Sequence, residues 1–235
     1  MIIPIIPNEL FRVNPNIEPY FEDGVIYIDN YYANYERIYE VLQHMPIPRF
    51  KWGEKSRNFI DYYDCRPKIS NEKPTQLHDY EINQLRRIIR SFFGIDKGKL
   101  LFMPGKDYEF NYLKHIKLPK DINWQAHPHF DVDYGSIVFL DKICSGGTAL
   151  YPDLKEIPML DSEDLFIDVS GFKRKLIKAK PNRHIIFSGT GFHGAYIDDH
   201  TKYLNDWRIN QVRFFNMKGS MSSKALGVDF DRDYE

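Results

Sequence analysis

The spacing of apolar positions changes character at about Leu101. Before it, Val25-Ile-Tyr-Ile28 is a short β-prone run that ends at Asp29-Asn30, a pair suited to a turn or a helix cap. Tyr35, Ile38, Tyr39 and Leu42 then recur at helical spacing, which predicts an amphipathic helix closed before Pro46. A second helix is predicted over Tyr80 to Phe93. Ile82, Leu85, Ile89 and Phe92 form its buried stripe, Arg86, Arg87 and Arg90 its wetter side, and Gly94 its stop.

After Leu101, short runs rich in Phe, Tyr, Ile and Val are punctuated by Gly, Pro and Asp, the texture of a many-stranded β region. Strands are expected at Tyr108 to Lys114, Gln125 to Asp131, Gly135 to Leu140, Thr148 to Tyr151, His184 to Phe187, Gly194 to Ile197 and Trp207 to Phe215. The set suits a double-stranded β-helix, the cupin-like jelly-roll barrel, with N-terminal helices packed on it: a mainly β fold with helical support. The chain reads as one domain over 1–235, with a strand and supporting helices in 1–100, a jelly-roll core in 101–216 and a loose polar tail in 217–235. Residues 153–181 run from acidic (Asp161, Glu163, Asp164, Asp168) to basic (Lys173, Arg174, Lys175, Lys178, Lys180) and fit neither period. They are expected as an insertion, a lid or an extra helix.

Charge narrows the partners. A net charge of −1 with 28% charged residues lacks the basic excess that nucleic acids or anionic membranes select, which leaves a small-molecule or peptide substrate. No stretch approaches the apolar length of a membrane span, and Met1 to Pro7 is too short, uncharged and proline-broken for a secretion signal. With Cys65 and Cys144 as its only cysteines, the chain has no disulfide framework, and a cytoplasmic setting is expected.

Candidate chemistry centres on Gln125-Ala-His-Pro-His-Phe-Asp-Val-Asp-Tyr134. In an extended strand, residues two apart point the same way, roughly 6 to 7 Å apart, so His129 and Asp131 are placed to grip one metal ion. His193, in Gly191-Phe-His-Gly194, would complete two imidazoles and one carboxylate, the ligand set of non-haem Fe(II) oxygenases. The tripeptide alone is weak evidence in a chain with eight histidines. His127 and Asp133 share the same strand face, so another pair stays open, although Pro128 pushes His127 toward a strand edge. Of the other histidines, His184 reads as packed in a strand and His200 as a wet hairpin tip.

Order adds weight. After His129-Phe-Asp131 come Gly146-Gly-Thr-Ala-Leu-Tyr-Pro152, then His193, then Trp207-Arg-Ile-Asn-Gln-Val-Arg-Phe-Phe215. In this order the chain resembles the prolyl-4-hydroxylase-like branch of the Fe(II)/2-oxoglutarate-dependent dioxygenases, from about Leu101 to Phe215. The resemblance implies Fe(II) held by His129, Asp131 and His193, 2-oxoglutarate as cosubstrate with its distal carboxylate on Arg208, O2 as oxidant and ascorbate in support. It implies hydroxylation of a C–H bond of an unidentified substrate, with release of succinate and CO2. Ala149 stands where the family often has Thr, Tyr151 where it often has Phe, and Asn210 for the Ser two positions after the basic residue. The stretch from His193 to Arg208 is also longer than usual. These departures bear on cosubstrate binding more than on the metal.

On a strand, Arg208, Asn210, Val212 and Phe214 share one face and Ile209, Gln211 and Arg213 the other, so Arg208 is preferred to Arg213 as the carboxylate anchor. Tyr112 or Tyr151 would add a hydroxyl beside it. Arg183 reads as a structural ion pair. Trp124, Tyr134 and Trp207 read as substrate pocket or as core. Two rival classes remain: a cupin-like isomerase or hydrolase using its metal as a Lewis acid without a keto acid, and a non-catalytic binding or structural barrel.

Overall fold

The computed structural model describes residues 5–6, 8–45, 60–65, 68–69, 74–102, 109–156 and 166–218. The polar tail beyond Lys218, most of Met1 to Pro7, and Asp161, Glu163 and Asp164 of the expected insertion lie outside the described residues. Helices α1 (Tyr35–His44) and α2 (Pro74–Phe93) accompany a chain that is otherwise mainly strand. In chain order the strands are β1 (Ile5–Ile6), β2 (Tyr20–Glu22), β3 (Val25–Ile28), β4 (Ile60–Cys65), β5 (Lys68–Ile69), β6 (Leu100–Phe102), β7 (Glu109–His115) and β8 (Trp124–Ala126). They continue as β9 (Tyr134–Phe139), β10 (Gly147–Leu150), β11 (Phe166–Asp168), β12 (Lys175–Lys178), β13 (His184–Ser188), β14 (His193–Tyr196) and β15 (Arg208–Met217). Among the described residues no helix is long and apolar enough to cross a membrane.

A large antiparallel sheet runs β2-β3-β13-β9-β15-β7-β4, with β6 paired to the far end of β15. The remaining site-bearing strands form a smaller sheet, β12-β10-β14, and the pair β11-β8. Alternation along the large sheet sorts its side chains by face. Ile209 and Phe215 of β15 join Ile28, Val138 and Ile186 in one buried cluster with Ile38 and Leu42 of α1 and Ile82, Leu85 and Ile89 of α2. Arg208, Asn210, Val212 and Phe214 line a cavity on the opposite face.

Three local expectations change. Regular pairing of the Gln125 to Asp131 segment stops at Ala126, because Pro128 has no amide hydrogen for a ladder and restricts His127 before it. The described parts of 153–181 form neither lid nor helix. β11 pairs with β8 and β12 with β10, and Phe166, Ile167 and Ile177 are buried there, so these short apolar runs extend existing strand edges. A strand absent from the sequence reading, β2, joins β3 through Asp23 and Gly24 at φ 53° and 82°, the left-handed two-residue turn that an Asp-Gly pair favours.

α2 also departs from its predicted faces. Arg86 is taken inside at 5% exposure, whereas Phe92 stays at the surface and stacks on Phe21 of the edge strand β2, ring centroids 5.9 Å apart. Deeper in, Arg213 Nη2 lies 2.6 Å from Glu81 Oε1 and donates to the Tyr32 hydroxyl at 2.9 Å. The Tyr31 hydroxyl donates to the same Glu81 oxygen at 2.7 Å, and Tyr32 to Gln211 Oε1 at 2.6 Å. This network joins α2, β15 and the segment after β3 within the helix-side core. A buried charge stripped of its partner is costly, so Arg213→Met is expected to lower stability by about 3–5 kcal/mol. Adding Glu81→Leu should restore most of it, as read by urea denaturation.

A buried imidazole pair closes the other end of β7. His200 Nδ1 lies 3.0 Å from His115 Nε2, and both rings are nearly inaccessible, so the wet tip expected at His200 is instead an interior contact. Burial, and then the neighbouring His200, holds His115 down to about 4. Burial likewise lowers His200 and, more strongly, His184. Unfolded histidines take up protons near pH 6.5, before the native His115 does, so the unfolded state binds more protons between about pH 6.5 and 4. Stability should therefore be full above that window and fall as pH drops through it, by up to about 3 kcal/mol from His115. Denaturation from pH 7 to 4 should show a shallower decline in His115→Gln than in the parent.

Candidate metal centre and cavity

Two segments far apart in sequence meet at the centre of the site. His129 and His193 exchange both backbone hydrogen bonds, each 2.8 Å, as an isolated antiparallel bridge. Asp131 N–H donates to Gly189 O at 2.8 Å and Gly189 N–H to Asp133 O at 3.1 Å, which continues the pairing past regular β8. Gly189 is required by proximity: a Cβ there would stand 2.3 Å from Val132 O.

One ligand atom each of His129, Asp131 and His193 then lies within 4.8 Å of the others. His193 Nε2 is 3.3 Å and His129 Nε2 3.8 Å from Asp131 Oδ2. Both rings are oriented from behind. His129 Nδ1 sits 3.1 Å from the His127 carbonyl and His193 Nδ1 2.9 Å from that of Gly191. A carbonyl only accepts, so Nδ1 carries the hydrogen in each ring, and in a neutral imidazole Nε2 then presents only a lone pair. Desolvation of the inner side of the ring, with the neighbouring His193, lowers the His129 pKa and favours that neutral form, while the rest of the side chain stays exposed. Lone pairs of two imidazoles and a carboxylate aimed at one point repel each other until a cation stands between them. A ring whose far nitrogen donates to a carbonyl is the usual support of a metal-bound histidine. The donor set therefore fits a divalent iron.

The cavity in front of this cluster has a volume of about 400 Å³. Arg208, at 5% exposure, is placed in its wall by β15. Its Nη2 donates to Gly147 O at 3.0 Å, and its Nη1 donates to Asn210 at 2.7 Å when the amide oxygen faces it, the orientation in which the Asn210 nitrogen also reaches Ile209 O. Both of these hydrogen-bond partners are neutral, and Asp141 acts on the guanidinium only through space, so among the described residues no carboxylate bonds it and it can meet an anion inside the cavity. Tyr203 staples the loop that carries Gly147: its hydroxyl donates to Asp141 Oδ2 at 2.8 Å and accepts from Ser145 N–H at 2.9 Å. Burial raises the Asp141 carboxyl above the usual carboxylate range, against the opposing pull of Arg208.

The two tyrosines expected beside Arg208 go elsewhere. Tyr112 pairs with Ile209 on the helix-side face and donates to Leu42 O of α1 at 3.1 Å, one residue out of phase with the cavity. Tyr151 shares the outer face of β10 with Ala149 and packs against Ile167 and Val169. Their places are taken by Asn111, opposite Asn210 in register, and by Thr148, opposite Ala195. Thr148 is 2% exposed and its hydroxyl has no hydrogen-bond partner among the described residues, an unsatisfied group in the cavity wall next to Gly147, whose carbonyl the Arg208 guanidinium holds. Only strand phase reveals it. Thr148 alternates with Ala149 and Tyr151, and the sequence does not show which set turns inward.

Other candidates resolve by contact. Asp133 Oδ2 accepts from Met217 N–H at 2.7 Å, so it ties the loop to β15, and His127 supplies its carbonyl to His129. His184 packs in β13 with Nε2 2.6 Å from Ser136 Oγ. Arg183 clamps Asp29 through Nε at 2.6 Å and Nη2 at 3.0 Å. Trp124, Tyr134 and Trp207 pack in the hydrophobic clusters and are not among the cavity-lining residues.

No protein-family model matches the chain, and no curated protein does. Among solved structures it is similar to the epimerase SnoN in complex with Fe3+, alpha ketoglutarate and nogalamycin RO, at 13% identity over 83% of this chain and 79% of that one, TM-score 0.42. It is similar to an oxidoreductase of the 2OG-Fe(II) oxygenase family from Burkholderia pseudomallei, at 14% identity over 83% and 85%, TM-score 0.46. A Pseudomonas putida prolyl-4-hydroxylase gives 10% identity over 83% and 94%, TM-score 0.41. The solved structures similar to this chain thus include 2OG-Fe(II) oxygenases, all as distant likenesses, and its chemistry rests on its own side chains.

Proposed function

We propose that this protein is an Fe(II)- and 2-oxoglutarate-dependent dioxygenase on a jelly-roll framework. The observation that carries the reading is the convergence of three lone-pair donors, His129 Nε2, Asp131 Oδ2 and His193 Nε2, in a cavity whose wall also holds a buried arginine with only neutral partners. The ligands occupy one face and leave coordination positions for a keto acid and O2. When bound, iron supplies the activation of O2 that side chains lack.

The chain's own residues do the placing. His127 and Gly191 carbonyls hold the two imidazoles with Nε2 toward the ion. Arg208 receives the distal carboxylate, and Thr148 and Asn111 offer the polar groups beside it. A dicarboxylate held here would have one charge answered by the ion and the other by Arg208. The overall reaction balances as substrate C–H plus O2 plus 2-oxoglutarate to C–OH plus succinate plus CO2. The substrate is a small molecule or a peptide group, and no nucleic acid is involved.

His129→Ala should abolish stoichiometric Fe(II) or Co(II) binding, as read by Co(II) absorption. Arg208→Ala should keep the metal but weaken 2-oxoglutarate about 10- to 100-fold, the worth of a charge-assisted hydrogen bond or two. Thr148→Val and Tyr203→Phe should each cost roughly 3- to 10-fold in the same titration. Anaerobic Fe(II) with 2-oxoglutarate should give a weak visible charge-transfer band. Absence of that band, or equal keto-acid affinity in the Arg208 variant and the parent, would turn the assignment toward Lewis-acid chemistry.

A further inference from the structure

We infer that the group this site oxidises is uncharged and largely hydrocarbon. The inference deepens the dioxygenase reading and rests on it. Among the described residues the cavity wall carries two permanently charged side chains, Asp131 and Arg208. Both are already engaged, Asp131 with the metal and Arg208 with the far end of the keto acid. The polar side chains near Arg208, namely Thr148, Asn111 and Asn210, belong to that same end.

What remains of the wall is mostly apolar, Leu113, Ile137, Phe166, Phe187, Val212 and Phe214, interrupted by His127 and by Ser136, whose hydroxyl lies 2.6 Å from His184 Nε2. A second carboxylate, phosphate or ammonium brought into this space would leave water without a counter-charge, and burial of an unpaired charge is strongly unfavourable. A hydrocarbon group instead gains by leaving water, and its C–H bonds are the ones presented to the metal. Access fits this division. His193 is 4% exposed while His129 is exposed, so the cluster opens on the side of the 127–133 loop. On that loop Phe130, between two ligand residues, is 63% exposed and meets Phe192 edge-on at 5.6 Å. An apolar surface therefore stands beside the open side of the cluster, and any charged portion of the substrate stays outside in water.

The test uses the full chain loaded with Co(II) and saturated with 2-oxoglutarate, so that Arg208 is occupied. N-phenyl-1-naphthylamine, a neutral fluorescent probe, is titrated against its sulfonated relative 8-anilinonaphthalene-1-sulfonate. The neutral probe should bind at least ten-fold tighter and be quenched by Co(II) relative to the zinc-loaded protein. Ala126→Leu, which adds bulk to the wall, should weaken it at least five-fold without changing the Co(II) spectrum. Equal or tighter binding of the sulfonate, or a neutral signal that neither Co(II) nor Ala126→Leu alters, would overturn the inference. Should the Ala126 variant fail to fold, the cobalt-to-zinc comparison decides alone. A protein that shows no Co(II) response to 2-oxoglutarate yet prefers the neutral probe would count against the dioxygenase reading, so the two failures are separable.

Discussion

Two backbone hydrogen bonds between His129 and His193 are the constraint on which the site depends. They lie outside regular strands, at a point where Pro128 has already ended the pairing of β8. Without them the 127–133 loop would have only the bonds at Gly189 to fix its height over β14, and the two imidazoles would not face one carboxylate. Because the backbone sets the spacing and the His127 and Gly191 carbonyls set the ring orientation, little is left to side-chain freedom. Were this cluster to take an ion, it would be organised beforehand, and less ordering would accompany binding.

The same economy governs the large sheet, where adjacent positions on one strand serve opposite ends. β15 sends Arg208 and Asn210 into the cavity and Gln211 and Arg213 into the helix-side core. Arg213 is met there by Glu81 and Tyr32, so its charge is spent on structure. Among the described residues Arg208 hydrogen-bonds only a carbonyl and an amide, so no carboxylate is bonded to its guanidinium. A register slip of one residue would exchange these roles, burying the unpaired arginine in the core and pointing the paired one at the site. The Arg213–Glu81 contact and the apolar cluster beside it therefore guard the register that places Arg208 in the cavity wall.

Much of this was legible from residue order, and what was not has a common cause. The clustering of His129, Asp131 and His193 could be read because it is local: His129 and Asp131 are two apart, and the glycines around His193 mark a close approach. The faces of β15 could be read because alternation needs only one strand. Thr148 and Asn111 could not, since choosing them over Tyr151 and Tyr112 requires knowing which neighbour each strand takes and in what phase. Pairing is also what turned the 166–168 and 175–178 segments into strands, since runs of three and four residues have too little period to declare themselves. His200 was misjudged for the opposite reason. Its polar sequence neighbours, Asp198, Asp199 and Thr201, suggested water, while its ring reaches inward to His115.

The distribution of polarity in the cavity links these points to function. In the proposed chemistry the ion answers Asp131 and the keto acid answers Arg208, and the one orphaned hydroxyl of the wall among the described residues, Thr148, adjoins Gly147, whose carbonyl accepts from Arg208. Had the wall contained a further permanently charged side chain, it would have required a partner from the substrate, and selectivity would have been electrostatic. Its absence among the described residues moves selectivity to shape and desolvation, which discriminate weakly between similar hydrocarbons but strongly against charge. A site of this kind is tuned by the volume of side chains such as Ala126 and Ala195 rather than by new ion pairs. The narrow polar end can then stay fixed while the apolar end changes, because the two are carried by different residues of the same strands.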